Sequence, residues 1–173
     1  MLKVEKNSFI KKKLFLKSFE IRWNDLDANR HVANITYLGY ASETRMGLLN
    51  TLGLTHKSLM AMDIGPIIFN ESLTYFKEVQ PDDTIRVSCE LAGLSDHGAF
   101  FSFVHNFYNS EGKNVALCKM MGGWIHLNSR KLAPLPKEMW RNFEALPKTE
   151  DFKKLTPADT RNSNIKPRHL YNN

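Results

Sequence analysis

Between Trp23 and Asn34 the chain reads Trp-Asn-Asp-Leu-Asp-Ala-Asn-Arg-His-Val-Ala-Asn, which gathers Asp25, Asp27, Asn29, His31 and Asn34 into one short segment. A carboxylate can act as base or nucleophile, and an imidazole can hold or move a proton. The segment runs into what reads as the start of a helix. There, unpaired backbone N–H groups and a partial positive charge can polarise a carbonyl and stabilise an oxyanion. Acyl transfer needs that combination. The same residue types also have an ordinary use, because Asp and Asn ahead of a helix cap it and shape turns through local hydrogen bonds. Spacing alone leaves both readings open.

The elements that must position this loop follow from periodicity. Residues 14–24 read as a strand with Phe19, Ile21 and Trp23 on one face. Residues 35–52 read as a helix, with Asn34 as N-cap and Gly53 just past its end. Ile35, Leu38, Ser42, Met46 and Leu49 form one stripe, and Tyr37, Tyr40, Ala41 and Leu48 widen it until most of the circumference is apolar. Such a helix is buried on several sides. A short helical turn is expected over 56–62. Strands follow over 66–77, 84–94, 99–109 and 114–127, joined by turn-rich connections that make them antiparallel neighbours. Gly122-Gly123 inside the last strand predicts a bulge or a close backbone approach. One strand, one buried helix and four antiparallel strands make an α+β layer arrangement. Three parts are expected: a basic extension over 1–13, a domain over 14–130, and over 131–173 a short helix (136–146) with a loose polar tail from 147.

Composition narrows the functional classes. The chain has 173 residues, 42% apolar and 24% charged, which suits one soluble domain. No apolar run is long enough for a membrane helix, and the basic start lacks the pattern of a secretory signal. A cytoplasmic protein with no membrane partner is expected. Cys89 and Cys118 are too few for a disulfide framework and fall in strand patterns, as small buried thiols do. The net charge of +6 attracts polyanions, among them coenzyme A and acidic carrier proteins. Lys3, Lys6, Lys11, Lys12, Lys13 and Lys17 suit a phosphate or a carrier protein, or simply form a solvated basic end. No His or Cys spacing suggests a metal site, and there is no GxSxG elbow, P-loop or GxGxxG fingerprint. His97, His105 and His126 read as turn and strand residues, and the Phe-rich strand over 99–109 reads as core or as the lining of an acyl tunnel.

The run RWNDLDANRHVANITYLGYASETR resembles the signature of hotdog-fold thioesterases, the 4-hydroxybenzoyl-CoA and acyl-ACP thioesterase group, through Asp25, Asp27, Asn29, His31, Val32, Asn34, Tyr37 and Leu38. With the downstream strands, the resemblance covers about residues 14–130. It implies a single hotdog domain, a curved antiparallel sheet wrapped around a central helix. It also implies hydrolysis of an acyl thioester of coenzyme A or an acyl carrier protein, without cofactor or metal. In the 4-hydroxybenzoyl-CoA branch a loop aspartate is the catalytic carboxylate, and Asp27 stands there. In the plant acyl-ACP branch an Asp-x-Asn-x-His cluster acts with a downstream Glu. Asp27, Asn29 and His31 match that cluster, and Glu78 matches the Glu. Asn34 and Tyr37, on the first helical turn, are candidates for touching substrate. The plant enzymes carry two hotdog repeats, whereas this chain has room for one, so a homodimer or homotetramer is expected. No nucleic-acid partner is implied. The competing readings are a non-catalytic acyl-thioester sensor and a hotdog dehydratase or hydratase.

Overall fold

A computed structural model describes residues 14–160 and 165–171. The basic extension over 1–13, with all the N-terminal lysines except Lys17, lies outside the described residues. The chain forms β1 (Phe15–Glu20), a 3-10 turn (Trp23–Asp25), α1 (Asn34–Thr51), α2 (His56–Ala61), β2 (Ile64–Tyr75), β3 (Thr84–Ser95), β4 (Phe100–Tyr108), β5 (Asn114–His126), α3 (Lys137–Glu144) and β6 (Lys148–Leu155). The strands make one sheet in the order β1-β3-β4-β5-β2, every pair antiparallel, and β6 joins β3 in parallel. The sheet curves around α1, as the α+β reading expects.

Three local expectations change. β1 ends at Glu20, and Trp23 sits on the 3-10 turn, 90% exposed, instead of sharing a face with Phe19. Ala33, with extended φ/ψ, is the N-cap of α1, so Asn34 is the first helical residue. At the other end Gly53 follows the helix with φ +79°, the left-handed conformation expected there.

The third change concerns the buried face of α1, which is Tyr37, Tyr40, Ala41, Thr44, Arg45, Leu48 and Leu49. Of the stripe Ile35, Leu38, Ser42, Met46 and Leu49, only Leu49 is fully buried, and Ile35 is 75% exposed. A helix apolar on most sides offers two candidate faces. The chosen one was concealed by the polar pair Thr44 and Arg45.

The glycine pair in β5 is a close approach. A Cβ on Gly122 would lie 2.6 Å from the Ile67 carbonyl oxygen, and one on Gly123 would lie 2.8 Å from that of Ala99. The bulge is on the facing strand, between Ile68 and Asn70.

Residues 148–155 correct the reading of everything after 147 as a loose tail. β1 covers only the Thr84–Cys89 half of the free edge of β3, and β6 pairs along Leu91–Ser95, satisfying the backbone groups β1 leaves open. Its sequence, KTEDFKKL, is charged and shows little alternation, which suits an edge strand and hides it from pattern reading.

Two apolar clusters fill the curve of the sheet. Tyr37, Tyr40, Val87, Phe107 and Cys118 belong to the cluster under the N-terminal half of α1. Leu48, Leu91, Phe103, Met120 and Phe143 belong to the cluster under its C-terminal half. His105 lies between them on β4, flanked by Phe103 and Phe107. It is fully buried, its Nδ1 2.9 Å from the Ser88 carbonyl oxygen and its Nε2 3.3 Å from Arg45 Nη1. A carbonyl can only accept, so Nδ1 carries the proton and Nε2 accepts from the guanidinium. Arg45 also reaches Glu71 Oε1 on β2 at 3.3 Å.

Burial first, and then the Arg45 charge, lower the His105 pKa from 6.5 to about 4. In the unfolded chain the imidazole takes a proton below its ordinary value; in the folded one it does so only near the lowered value. Stability is therefore expected to fall as pH drops between those two values, by about 3 kcal/mol in full. Urea unfolding at pH 7 and pH 4 should show that loss, and His105→Gln should remove most of its pH dependence while lowering stability at pH 7. An identical pH dependence in the variant would assign the acid sensitivity to other groups.

Both cysteines are buried and unpaired. Burial pushes both thiols up, that of Cys118 to about 11, so neither is poised as a nucleophile. No group of His, Cys, Asp and Glu among the described residues is arranged to hold a metal ion. No helix among them is long and apolar enough to cross a membrane.

Candidate active site

The loop ahead of α1 is held at both ends by its two aspartates, which do different work. Asp25 is 4% exposed. Its Oδ2 accepts from the Arg22 backbone N–H at 2.8 Å, Arg22 Nε at 3.1 Å and the Tyr40 hydroxyl at 2.9 Å. Its carbonyl accepts from the Ala33 N–H at 2.8 Å and from Thr36 Oγ1 at 3.1 Å. Burial alone would raise the Asp25 pKa, but the hydrogen bonds from Arg22 and Tyr40 outweigh it and hold the group below its ordinary value. Asp25 is thus the latch joining the loop to α1. Asp25→Ala strands the buried Tyr40 hydroxyl and is expected to destabilise the fold by about 2 kcal/mol in urea unfolding. A loss under about 0.5 kcal/mol would show that the latch contributes little.

Asp27 is exposed and shapes the tip. Its Oδ1 accepts from the Asn29 N–H at 2.8 Å and the His31 N–H at 3.2 Å. Its own N–H donates to the His31 carbonyl at 2.9 Å, and Arg30 turns the chain back with φ +63°. Among the described residues no hydrogen bond engages Asp27 Oδ2, so one carboxylate oxygen organises the turn and the other faces out. Val32 N–H donates to the Val79 carbonyl at 3.2 Å, tying the loop to the segment after β2. That tie brings Glu78 beside the loop, its Oε2 3.3 Å from His31 Nε2.

An open depression of about 380 Å³ results, lined in part by Asp27, His31, Asn34, Tyr37, Tyr75 and Glu78. Five of the six sequence-predicted site residues meet here. Asn29 does not: it contributes its backbone N–H to the Asp27 turn, and its side chain is not part of the lining. Tyr37 stacks edge-on against Tyr75 with ring centroids 5.3 Å apart. Burial first, then Tyr75 and the Asp27 charge, push the Tyr37 hydroxyl up to about 12, so it stays a hydrogen-bond donor. Tyr75 and Lys77 were missed by sequence reasoning. Alternation along β2 puts Tyr75 on the same face as Leu73, and that was the available signal for it. A larger groove of about 490 Å³ between β1 and α1 contains Lys17 paired with Glu43 and has no imidazole.

The backbone amides at the start of α1 are unevenly used. His31 N–H is taken by Asp27 Oδ1, Val32 N–H by Val79 and Ala33 N–H by Asp25. Asn34 N–H has no hydrogen-bond partner among the described residues, and it points from the positive end of the helix. A carbonyl oxygen placed there would be polarised within reach of the loop carboxylate.

Comparison with known proteins agrees with this architecture. The chain is similar in structure to a Staphylococcus aureus protein solved in complex with CoA, with TM-score 0.74, 18% identity and coverage of 80% of this chain and 85% of that one. It is also similar to a 1,4-dihydroxy-2-naphthoyl-CoA thioesterase from Synechocystis, with TM-score 0.68, 19% identity and coverage of 77% and 97%. A DHNA-CoA thioesterase from Staphylococcus aureus gives TM-score 0.68 at 14% identity, covering 76% and 91%. At these identities the likeness establishes the hotdog fold. No curated protein matches the sequence. The model of the thioesterase-like superfamily matches residues 21–143, a span that contains the loop, α1, α2, β2, Glu78, β3, β4, β5 and all of α3 but its last residue. The chain belongs to that superfamily.

Proposed function

We propose that the protein hydrolyses an acyl thioester of coenzyme A or of an acyl carrier protein at the depression beneath the N-terminus of α1. One observation carries the reading: Asn34, whose N–H has no hydrogen-bond partner among the described residues, lines the same depression as Asp27, whose Oδ2 accepts no hydrogen bond from them. The thioester oxygen accepts from Asn34 N–H, and the helix end stabilises its negative charge as the carbonyl carbon becomes tetrahedral. Asp27 Oδ2 either takes a proton from the attacking water or attacks the carbon itself. In the first route water adds to the carbon and the C–S bond breaks to give the acid; in the second the C–S bond breaks to leave a mixed anhydride on Asp27, which water then hydrolyses to release the acid and restore the carboxylate; in both the thiolate leaves and takes up a proton. His31 and Glu78 hold each other beside the carboxylate and position the water. Tyr37 and Tyr75 wall the acyl side. Asn29 acts through its backbone by fixing Asp27.

A homodimer or homotetramer completes this site. β2 is an open edge among the described strands, with Ile68, Tyr75 and the following Phe76 all about half exposed and the last two lining the depression. The test is thiol release over a panel of acyl-CoAs and acyl carrier proteins, aryl and fatty. Turnover names the acyl group and the carrier. Binding without turnover on any of them would replace the enzyme with an acyl-thioester sensor.

A further inference from the structure

We propose that the ion pair of Arg45 and Glu71 ends the acyl site and selects straight acyl chains of up to about ten carbons, an assignment that rests on the thioesterase reading above. Two rows of side chains lead to the pair from the depression. Tyr37, Ala41 and Arg45 follow one another at four-residue steps and stand in line on one face of α1. Tyr75, Leu73 and Glu71 alternate onto one face of β2. The rows meet at both ends. Tyr37 and Tyr75 have ring centroids 5.3 Å apart, and Arg45 Nη2 lies 3.3 Å from Glu71 Oε1. α1 and β2 therefore run side by side in opposite directions. Tyr37 and Tyr75 also line the candidate catalytic depression, so the seam between the rows starts there.

The seam is apolar along its length and charged at its far end. Ala41 is fully buried, Leu38 and Leu73 are part-buried, and Cys118 stands opposite Leu73 on β5. The Arg45 and Glu71 side chains are 7% and 20% exposed. Arg45 Nη1 lies 3.4 Å from Glu71 Oε1 and 3.3 Å from His105 Nε2. A buried ion pair adds little stability over apolar groups of the same size, so its place among apolar neighbours calls for another use. An alkyl chain gains by lying along Leu38 and Leu73. Pushed further, its end would strip water from the pair with no hydrogen bond in return.

Two lengths agree on where that happens. From Tyr37 to Arg45, eight residues of helix advance about 12 Å. From Tyr75 to Glu71, four residues of strand advance about 13 Å. An extended alkyl chain advances about 1.3 Å per carbon, from C–C bonds of about 1.5 Å at tetrahedral angles. A single aryl ring would leave much of the seam empty.

Steady-state hydrolysis of straight-chain acyl-CoAs from butyryl to stearoyl, with benzoyl-CoA beside them, tests this. In the wild type kcat/KM is expected to rise up to decanoyl and to fall about 10-fold by palmitoyl. Arg45→Met combined with Glu71→Leu replaces the pair with apolar groups. It is expected to regain that factor of about 10 on palmitoyl while moving octanoyl less than about two-fold. A merely structural role would lower all chain lengths together. Leu73→Trp does not touch the pair and lies on an edge strand; it narrows the seam half-way along and is expected to move the optimum from decanoyl to hexanoyl. A wild type that cleaves palmitoyl as well as decanoyl, or that prefers benzoyl, overturns the proposal and leaves the thioesterase reading standing. So does a Leu73→Trp or double-variant profile parallel to that of the wild type.

Alkyl-CoA thioethers, which cannot be hydrolysed, give a readout without turnover. By calorimetry the wild type is expected to bind decyl-CoA about 10-fold more tightly than hexadecyl-CoA, and the double variant to bind both alike. Affinity independent of chain length overturns the proposal whether or not thioesters are cleaved. The expected length dependence in a protein without turnover supports the ion-pair stop while removing the catalytic reading.

Discussion

Asp27→Asn is expected to lower the rate of thioester hydrolysis by about 100- to 10000-fold, the range a positioned acid or base contributes. The substitution is informative because the two carboxylate oxygens do separate work. Oδ1 accepts the Asn29 and His31 N–H groups that close the turn, and an amide oxygen can still accept them.

 The His31 amide thus keeps its acceptor in the variant, the loop keeps its shape, and only the charge at Oδ2 is lost. Urea unfolding of Asp27→Asn is accordingly expected to match the wild type within about 0.5 kcal/mol, while thiol release from an acyl-CoA collapses. Asp27→Ala would confuse the two effects, since it removes the turn acceptor as well. Asp25→Ala should give the reverse pattern, a loss of stability. An Asp27→Asn variant that retained activity within a few-fold would pass the role of base to Glu78, the other carboxylate lining the depression.

The loop was legible in the sequence because its chemistry is local. Asp25, Asp27, His31 and Asn34 fall in one short run before a helix, and turn geometry within that run sets where they point. Glu78 is far along the chain, and what brings it in is a backbone bond, Val32 N–H to the Val79 carbonyl, that no side-chain pattern announces. Asn29 enters through the resemblance as a member of the Asp-x-Asn-x-His cluster, and in the structure it is the backbone N–H, not the side chain, that meets the Asp27 carboxylate, a detail that residue type does not announce. The division of labour between the two aspartates was equally hidden, because it depends on Tyr40, 15 residues further on in α1, reaching back to Asp25. The strands from β2 to β5 were read correctly in type, since alternation is a strong local signal, but the turn-like connection after β2 misled: it suggested that β2 pairs with β3, whereas β2 lies at the far edge of the sheet against β5. The face of α1 was not, because hydrophobicity on nearly all sides leaves the phase to tertiary packing.

The C-terminal segment tests the same limit most sharply, and Phe143→Ala is expected to destabilise the fold by about 3–5 kcal/mol. Phe143 has no exposed surface and lies among three rings, its centroid 5.5 Å from Phe101, 5.6 Å from Phe103 and 6.2 Å from Trp124. α3 is short, and its other apolar residues, Met139 and Trp140, are only partly buried against the core, so a reading by composition gives it little weight. Its one buried aromatic nevertheless closes the cluster under the C-terminal half of α1, where Leu48 and Leu49 also pack. Truncation to Ala leaves a cavity walled by β4 and β5, and strands held by hydrogen bonds on both sides cannot collapse to fill it. The exposed neighbour Glu144 provides the control, with Glu144→Ala expected to change stability by less than about 0.5 kcal/mol. Urea unfolding should show one transition for Phe143→Ala with its midpoint lowered and its slope unchanged, because α3 and the sheet share one core. A loss below about 1 kcal/mol, or a separate early transition, would mean that α3 and β6 dock on a domain that is already complete without them.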